Sequence, residues 1–268
     1  MEQAIPGPLR LFEKSVLKQA KWRVLSELLG ESGDLDALDL GSDNGVISYL
    51  FRQRGGRWRS AELDPRAVAS IRELVGEEVY QVDGRRVPFP DESLDAVVVV
   101  DLLEHVATDR ELVADLARTL RPGGILLLNV PHRKRWPLLR PLREALGLTD
   151  AWHGHLRPGY SRAELCALLP PGLEVTRQRT YNRFFSELLD IALNVAVTRG
   201  TGAESTQKGV VLTTEDLARH ERKLRLFRWI YPLAWLWSRL DALLPFTRGY
   251  MLALRAEKRA QGRGASAA

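Results

Sequence analysis

The run "LDAVVVV", residues 94 to 100, constrains the fold of this chain more than any other stretch. Past Asp95 it is apolar without alternation, the pattern of a strand covered on both faces inside a parallel sheet. Parallel strands need crossover connections, and the flanking sequence supplies them. "LDALDL" (35–40) reads as a first strand, and 45–54 as a helix ending before Gly55-Gly56. "RWRSAEL" reads as a second strand, "DPRAVASIRELVG" as a helix with Pro65 in its first turn, and "EVYQV" as a short third strand. A helix over 108–120 follows the fourth strand, and "RPGG" leads into the strand "ILLLNV". Strand alternating with helix at this spacing predicts a doubly wound α/β sheet.

Both ends of the chain depart from that rhythm. Residues 9–29 repeat apolar positions at helical spacing and stop at Gly30. After residue 131 a segment rich in Pro, Arg and Trp reads as an irregular or short-helical insertion. It is followed by a helix opening with Ser161 and Glu164 at capping-box spacing, and by a sixth strand, "LEVTRQRTY". Residues 198–212 read as a mobile linker, Thr213 to about Leu244 as a long helical region that Pro232 kinks or divides, and "GYMLALRAEK" as the last strand. The expected organisation is an N-terminal helical segment (1–30), an α/β core (31–181), a helical insertion or lid (182–246), the last core strand (247–257) and a disordered tail (258–268). The sheet is expected to have seven mostly parallel strands, the last one antiparallel.

Composition excludes several classes. With 45% hydrophobic and 27% charged residues, the 268-residue chain has the balance of a globular protein. Its single cysteine, Cys166, leaves no internal disulfide and no cysteine-based zinc site; no metal is expected, and the cytoplasm suits the chain. The N-terminus lacks the apolar core of a signal peptide, and no stretch reaches the ~18 apolar residues of a membrane span. The net charge of +5 points mildly to an anionic partner, although part of the excess sits in the tail.

Chemistry first appears in "ALDLGSDNGVISYLF", residues 37–51, where an apolar strand, a glycine turn and a helix follow one another. Such a turn lets a ligand approach the backbone at a helix N-terminus. Asp39 and Asp43 crowd it with negative charge, which is unfavourable beside a pyrophosphate. S-adenosylmethionine, with its sulfonium and ammonium and no phosphates, suits this loop better than a nicotinamide or flavin dinucleotide.

With these features, residues 37–180 resemble the class I S-adenosylmethionine-dependent methyltransferases. "LDLGSDNG" is similar to the family's first motif, with Asp43 at the usual middle glycine; "AELDP" resembles the end of its second strand; "QVDGRRVPFPDESLDAVVVVDLLEHV" and "LRPGGILLLNVPH" match its later segments in order. The resemblance implies cofactor contacts from Asp39, Gly41, Ser42, Gly45, Glu62, Leu63, Asp83, Gly84 and Asp101. Glu62 fits the acid on the ribose hydroxyls, with Asp64 in reserve, and Asp83 the acid near the adenine amino group. No "NPPY"-like segment follows the fourth strand, so nucleobase and glutamine amino groups are not expected acceptors, and nucleic acid is not an expected partner.

The resemblance implies methyl transfer to an oxygen or nitrogen of a small-molecule, glycan- or lipid-linked acceptor. A general base is needed only where the nucleophile arrives protonated. Its candidates are His105, His132, His153, His155 and Tyr160. The apolar stripe of Leu226, Trp229, Ile230, Leu233, Leu236, Trp237, Leu240, Leu243 and Leu244 leaves three uses open: a cap over the pocket, a homodimer contact, or peripheral membrane contact through 219–245. A non-catalytic cofactor-binding or protein-interaction module is the alternative function.

Overall fold

The computed structural model describes residues 6–200 and 221–260, with backbone alone at 197–200 and 221–229. Helices α1 (Gly7–Glu13) and α2 (Val16–Leu29) precede the core. Strands β1 (Asp36–Leu40), β2 (Arg57–Glu62), β3 (Val79–Gln81) and β4 (Leu94–Val100) then alternate with α3 (Val46–Arg52) and α4 (Pro65–Val75). Helix α5 (Asp109–Thr119), β5 (Leu120–Pro131), α6 (Arg140–Ala145), α7 (Arg162–Leu168) and β6 (Leu173–Tyr181) follow. The chain continues through α8 (Phe184–Gly200) and α9 (Glu221–Arg239) to β7 (Met251–Lys258).

The seven strands form one sheet in the order β3-β2-β1-β4-β5-β7-β6. The pairs among β1 to β5 are parallel, whereas β7 lies antiparallel to both β5 and β6. The strand order reverses at β1–β4, and an open α/β sheet binds ligands beyond the carboxyl ends of its strands at such a point.

β4 shows why its sequence does not alternate. Leu94, Val97 and Val99 pack with Leu112 and Leu116 of α5 and Leu165 of α7. Ala96, Val98 and Val100 pack on the other face with Leu25 and Leu29 of α2 and Phe51 of α3. Both faces are therefore dry, and each large buried side chain contributes roughly 1.5–3 kcal/mol of transfer free energy.

Local signals set the helix ends. Asp64 caps α4 by accepting the Arg66 N–H at 2.7 Å, ahead of Pro65 at the first helical position. Ser161 and Glu164 form the predicted capping box on α7.

Four details differ from the sequence reading. "RPGG" lies inside β5 as a bulge, because Leu120 pairs with Leu94 and Ile125 with Ala96. Residues 198–200, read as linker, continue α8, whereas 201–212 lie outside the described residues. α9 runs unbroken past Pro232 and ends in a short 3-10 turn, Leu240–Leu243; the expected helical stretch 213–220 lies outside the described residues. Lys258, assigned to the tail, closes β7, and 261–268 lie outside the described residues, as do 1–5.

Candidate active site

A cleft of about 1450 Å³ lies beyond the carboxyl ends of β1, β2 and β4. Its wall includes Gly41, Ser42, Asp43, Glu62, Leu63, Asp101, Glu104 and His105 from the core, Lys21 from α2, and Ile230, Tyr231 and Ala234 from α9. This exceeds the roughly 300–1,000 Å³ of an ordinary small-molecule pocket, enough for a cofactor and an acceptor side by side.

The loop after β1 is shaped by close approach. A Cβ on Gly41, whose φ is +88°, would stand 2.4 Å from the Val100 carbonyl oxygen; one on Gly45 would stand 2.9 Å from Cα of Ile71 in α4. Asp43, at the usual glycine position, also takes a left-handed φ of +51°. Aspartate tolerates that region better than most residues, so the substitution leaves the turn intact.

Asp39 does not reach the cleft, contrary to its expected cofactor contact. It is fully buried beneath the loop, where it accepts hydrogen bonds from Ser42 (2.6 Å), Ser48 (2.5 Å) and Ser60 (2.9 Å) and stands 3.6 Å from Arg52. Burial pushes its carboxyl above the usual range against the opposing pull of these hydroxyls and Arg52. Asp39 therefore ties β1, α3 and β2 together under the turn. Gly45 likewise shapes the turn as the residue capping α3 without itself lining the cleft.

Glu62 is a buried acid on the wall. Its carboxylate accepts the N–H of Leu63 at 2.7 Å and of Asp43 at 3.3 Å, so it bridges the second strand to the glycine turn. Burial pushes its pKa up to about 7, and the two N–H donors oppose that rise. Asp64, also on the wall, caps α4. Asp83 and Gly84 lie off the wall: Asp83 accepts the N–H groups of Arg85 (2.8 Å) and Arg86 (3.1 Å), while the Gly84 carbonyl accepts from Thr108 (3.0 Å).

At the end of β4, Asp101 has a φ of +47° and lies at the centre of a polar chain. Lys21 pairs with its carboxylate, Asn129 donates to it at 2.5 Å, and Tyr181 donates to Asn129 at 2.8 Å. Burial works against the Lys21 charge, yet the adjoining Asp101 carries its pKa upward. Lys21 escapes sequence reasoning because nothing in a helical stretch so far from Asp101 announces the pairing. Glu104 is buried beside them, and its Oε2 has no hydrogen-bond partner among the described residues. Burial, with Asp101 nearby, holds its carboxyl well above the usual carboxylate range.

Four of the five general-base candidates line the cleft: His105, His132, His153 and His155. His105 Nδ1 lies 3.0 Å from the Gly154 carbonyl oxygen. A carbonyl only accepts, so the proton belongs on Nδ1 and Nε2 keeps the lone pair. Glu104, His105 and His155 place one ligand atom each within 4.8 Å of one another. His132 Nδ1 faces the Gly249 carbonyl at 2.9 Å, and burial lowers its pKa. His153 is held between the Thr149 carbonyl (2.9 Å) and Arg143 (3.2 Å). Tyr160 is not on the wall: its buried hydroxyl lies 2.7 Å from Asp109 and 3.0 Å from the Leu103 carbonyl, and burial pushes its pKa above the usual value. It braces the core and does not reach the cleft.

Comparison with known proteins agrees with this geometry. A family profile described as "Methyltransferase domain" matches residues 38–128. A demethylmenaquinone methyltransferase of Tropheryma whipplei (strain Twist) is 28% identical over 127 residues, which cover 46% of this chain and 53% of the relative. A probable S-adenosylmethionine-dependent methyltransferase of Mycolicibacterium smegmatis is 28% identical over 133 residues, covering 49% and 51%. The chain thus spans about half the length of the curated relatives it matches. Among solved structures, a putative methyltransferase from Bacillus halodurans C-125 superposes with a TM-score of 0.59 at 17% identity, covering 89% of this chain and 99% of that one. That likeness shows the shared fold. Residues 38–128 thus match a methyltransferase domain, and the motif order and the glycine turn over the switch point are those that resemble the class I S-adenosylmethionine-dependent methyltransferases.

Proposed function

We propose that the chain binds S-adenosylmethionine above the glycine turn and transfers its methyl group to an oxygen or nitrogen of a small-molecule, glycan- or lipid-linked acceptor. The observation that carries this reading is the acidic wall around a close-approach turn, with Asp43, Glu62, Asp101 and Glu104 lining one cleft. The Asp43 carboxylate on that turn is unfavourable beside a pyrophosphate and favourable beside a sulfonium or an ammonium. Glu62 would hold the ribose hydroxyls, and Asp101, fixed by Lys21 and Asn129, the amino-acid end. When bound, the cofactor supplies a methyl group activated by its sulfonium. The residues of this chain align the acceptor, exclude water and take up a proton where the acceptor carries one. His105 Nε2 and His132 Nε2 are the candidate bases, since each ring turns its Nδ1 to a backbone carbonyl on the cleft wall.

The alternative, a non-catalytic module, draws its support from Asp43 at the glycine position. The left-handed φ of Asp43 weakens that ground, because the turn keeps its shape. Calorimetric titration of the purified protein should show binding of S-adenosylmethionine or its demethylated product and none of NAD. Tight NAD binding with no response to S-adenosylmethionine would overturn the reading.

A further inference from the structure

We propose that the mouth of the cleft docks on an anionic lipid bilayer through the 131–138 loop, the 243–249 loop and the outer edge of α9. The two loops are tied together: the His132 N–H donates to the Tyr250 carbonyl at 2.8 Å, and His132 Nδ1 to the Gly249 carbonyl at 2.9 Å. From them project Trp136 and Phe246, 77% and 80% exposed, with Leu138 and Leu243 each at 69%. Single exposed apolar residues on a surface need no explanation, but four on two joined loops whose neighbours Pro137 and Tyr250 line the cleft do.

α9 extends the same surface. Ile230 and Ala234 face the cleft. At about 100° per residue, Leu233, Trp237 and Leu236 follow on the adjoining arc, within roughly 120° of Ile230. Leu233 and Leu236 are 69% and 59% exposed. Cleft lining and exposed apolar stripe therefore share an edge.

The charges identify the occupant. Arg135 beside Trp136 and Arg248 near Phe246 are exposed and have no carboxylate partner among the described residues. The acids in this region are engaged: Glu164 pairs with Arg133, Glu187 with Lys134, and Asp241 accepts the N–H groups of Arg183 and Phe185, each at 2.8 Å. The rim thus offers aromatic and aliphatic side chains flanked by uncompensated cations, the chemistry that partitions into the interface of an anionic bilayer. No described helix is long and apolar enough to cross a membrane, so this contact is peripheral. A cleft opening onto lipid selects acceptors with an apolar tail, a corollary that rests on the methyl-transfer reading, whereas docking itself does not.

The test uses the full chain with extruded vesicles of phosphatidylcholine, with or without phosphatidylglycerol, read by co-sedimentation and by intrinsic tryptophan fluorescence. Binding should require phosphatidylglycerol, weaken with salt and shift the emission to the blue. Arg135→Glu with Arg248→Glu should weaken it by about tenfold or more, since each cation near such a surface contributes roughly 1 kcal/mol. Trp136→Ser with Phe246→Ser should weaken it comparably and reduce the blue shift. These side chains are exposed, and unchanged circular dichroism checks each variant's fold. No sedimentation with anionic vesicles overturns the proposal, as does binding that neither double variant changes. Dimers in the vesicle-free fraction that both double variants dissociate, with no binding to anionic vesicles, would assign this face to a second copy instead.

Discussion

Glu62 has a titration that separates two properties of the same carboxyl. Its pKa is raised from 4.5 to about 7 by burial. The folded state therefore keeps this proton where the unfolded chain has lost it, and the ligand-free protein should lose stability as pH rises from 4.5 to about 7. Cofactor affinity should run the other way, because ribose hydroxyls donate to the ionised form. Calorimetry should show binding tightening up to about pH 7 and levelling above it, with proton release near pH 6. Glu62→Gln should flatten both profiles. Glu62→Ala should cost about 1–3 kcal/mol of binding, the worth of a hydrogen bond to a charged group, and Asp64→Ala less. Asp39 calls for a stability test instead: Asp39→Ala strands three buried hydroxyls and the Arg52 guanidinium, and should lower urea stability by about 3 kcal/mol. The motif marks the Asp39 position in the sequence, but not that Ser42, Ser48 and Ser60 converge on it. Gly41 and Glu62 are legible because each stands at a strand end in a short motif, whereas Lys21 meets Asp101 only through the fold.

At the scale of elements, the sequence is most readable where one segment decides its own fate. β4 has no polar face, so only a doubly covered strand suits it, and the two core clusters on its two sides show that cover. The α7 cap is equally local. Ser161→Ala should cost about 1 kcal/mol in thermal or urea unfolding, and Glu164→Ala should add less once the box is broken. The insertion is harder to read because partners distant in sequence decide it. Asp241 accepts the N–H groups of Arg183, Phe185 and Ser186 at the start of α8. It thereby caps a helix more than fifty residues earlier, and no periodicity reveals that. Pro232 likewise reads as a break, yet α9 continues through it. The bulge in β5 has the same origin: "RPGG" reads as a turn, but pairing with β4 resumes beyond it.

At the scale of the whole molecule, the proposed cofactor site and the proposed acceptor site draw on different parts of the chain. The glycine turn and Glu62 belong to the β1–β2 half of the sheet, held by Asp39 and the packing of α4 on Gly45. The far wall comes from α9, which is anchored by Tyr231 to Gln19 (3.1 Å) and by Trp237 to the Phe185 carbonyl (2.9 Å). The antiparallel run of β6 and β7 forces this arrangement, because Tyr181 and Met251 pair directly and the segment between them must leave and return at the same sheet end. That end is where the cleft lies, so the insertion can close over an acceptor without touching the β1–β2 loops. Deleting residues 200–240 should therefore abolish transfer to the acceptor while cofactor affinity stays within about tenfold, roughly 1.4 kcal/mol. Lys21 pairs with Asp101 from α2, the helix whose Gln19 meets α9, so Lys21→Met should weaken cofactor binding in the intact chain and in the deletion by the same factor. A deletion that keeps full turnover would show that α9 is no part of the acceptor wall, and loss of cofactor binding beyond tenfold would show that the two sites share one cooperative support.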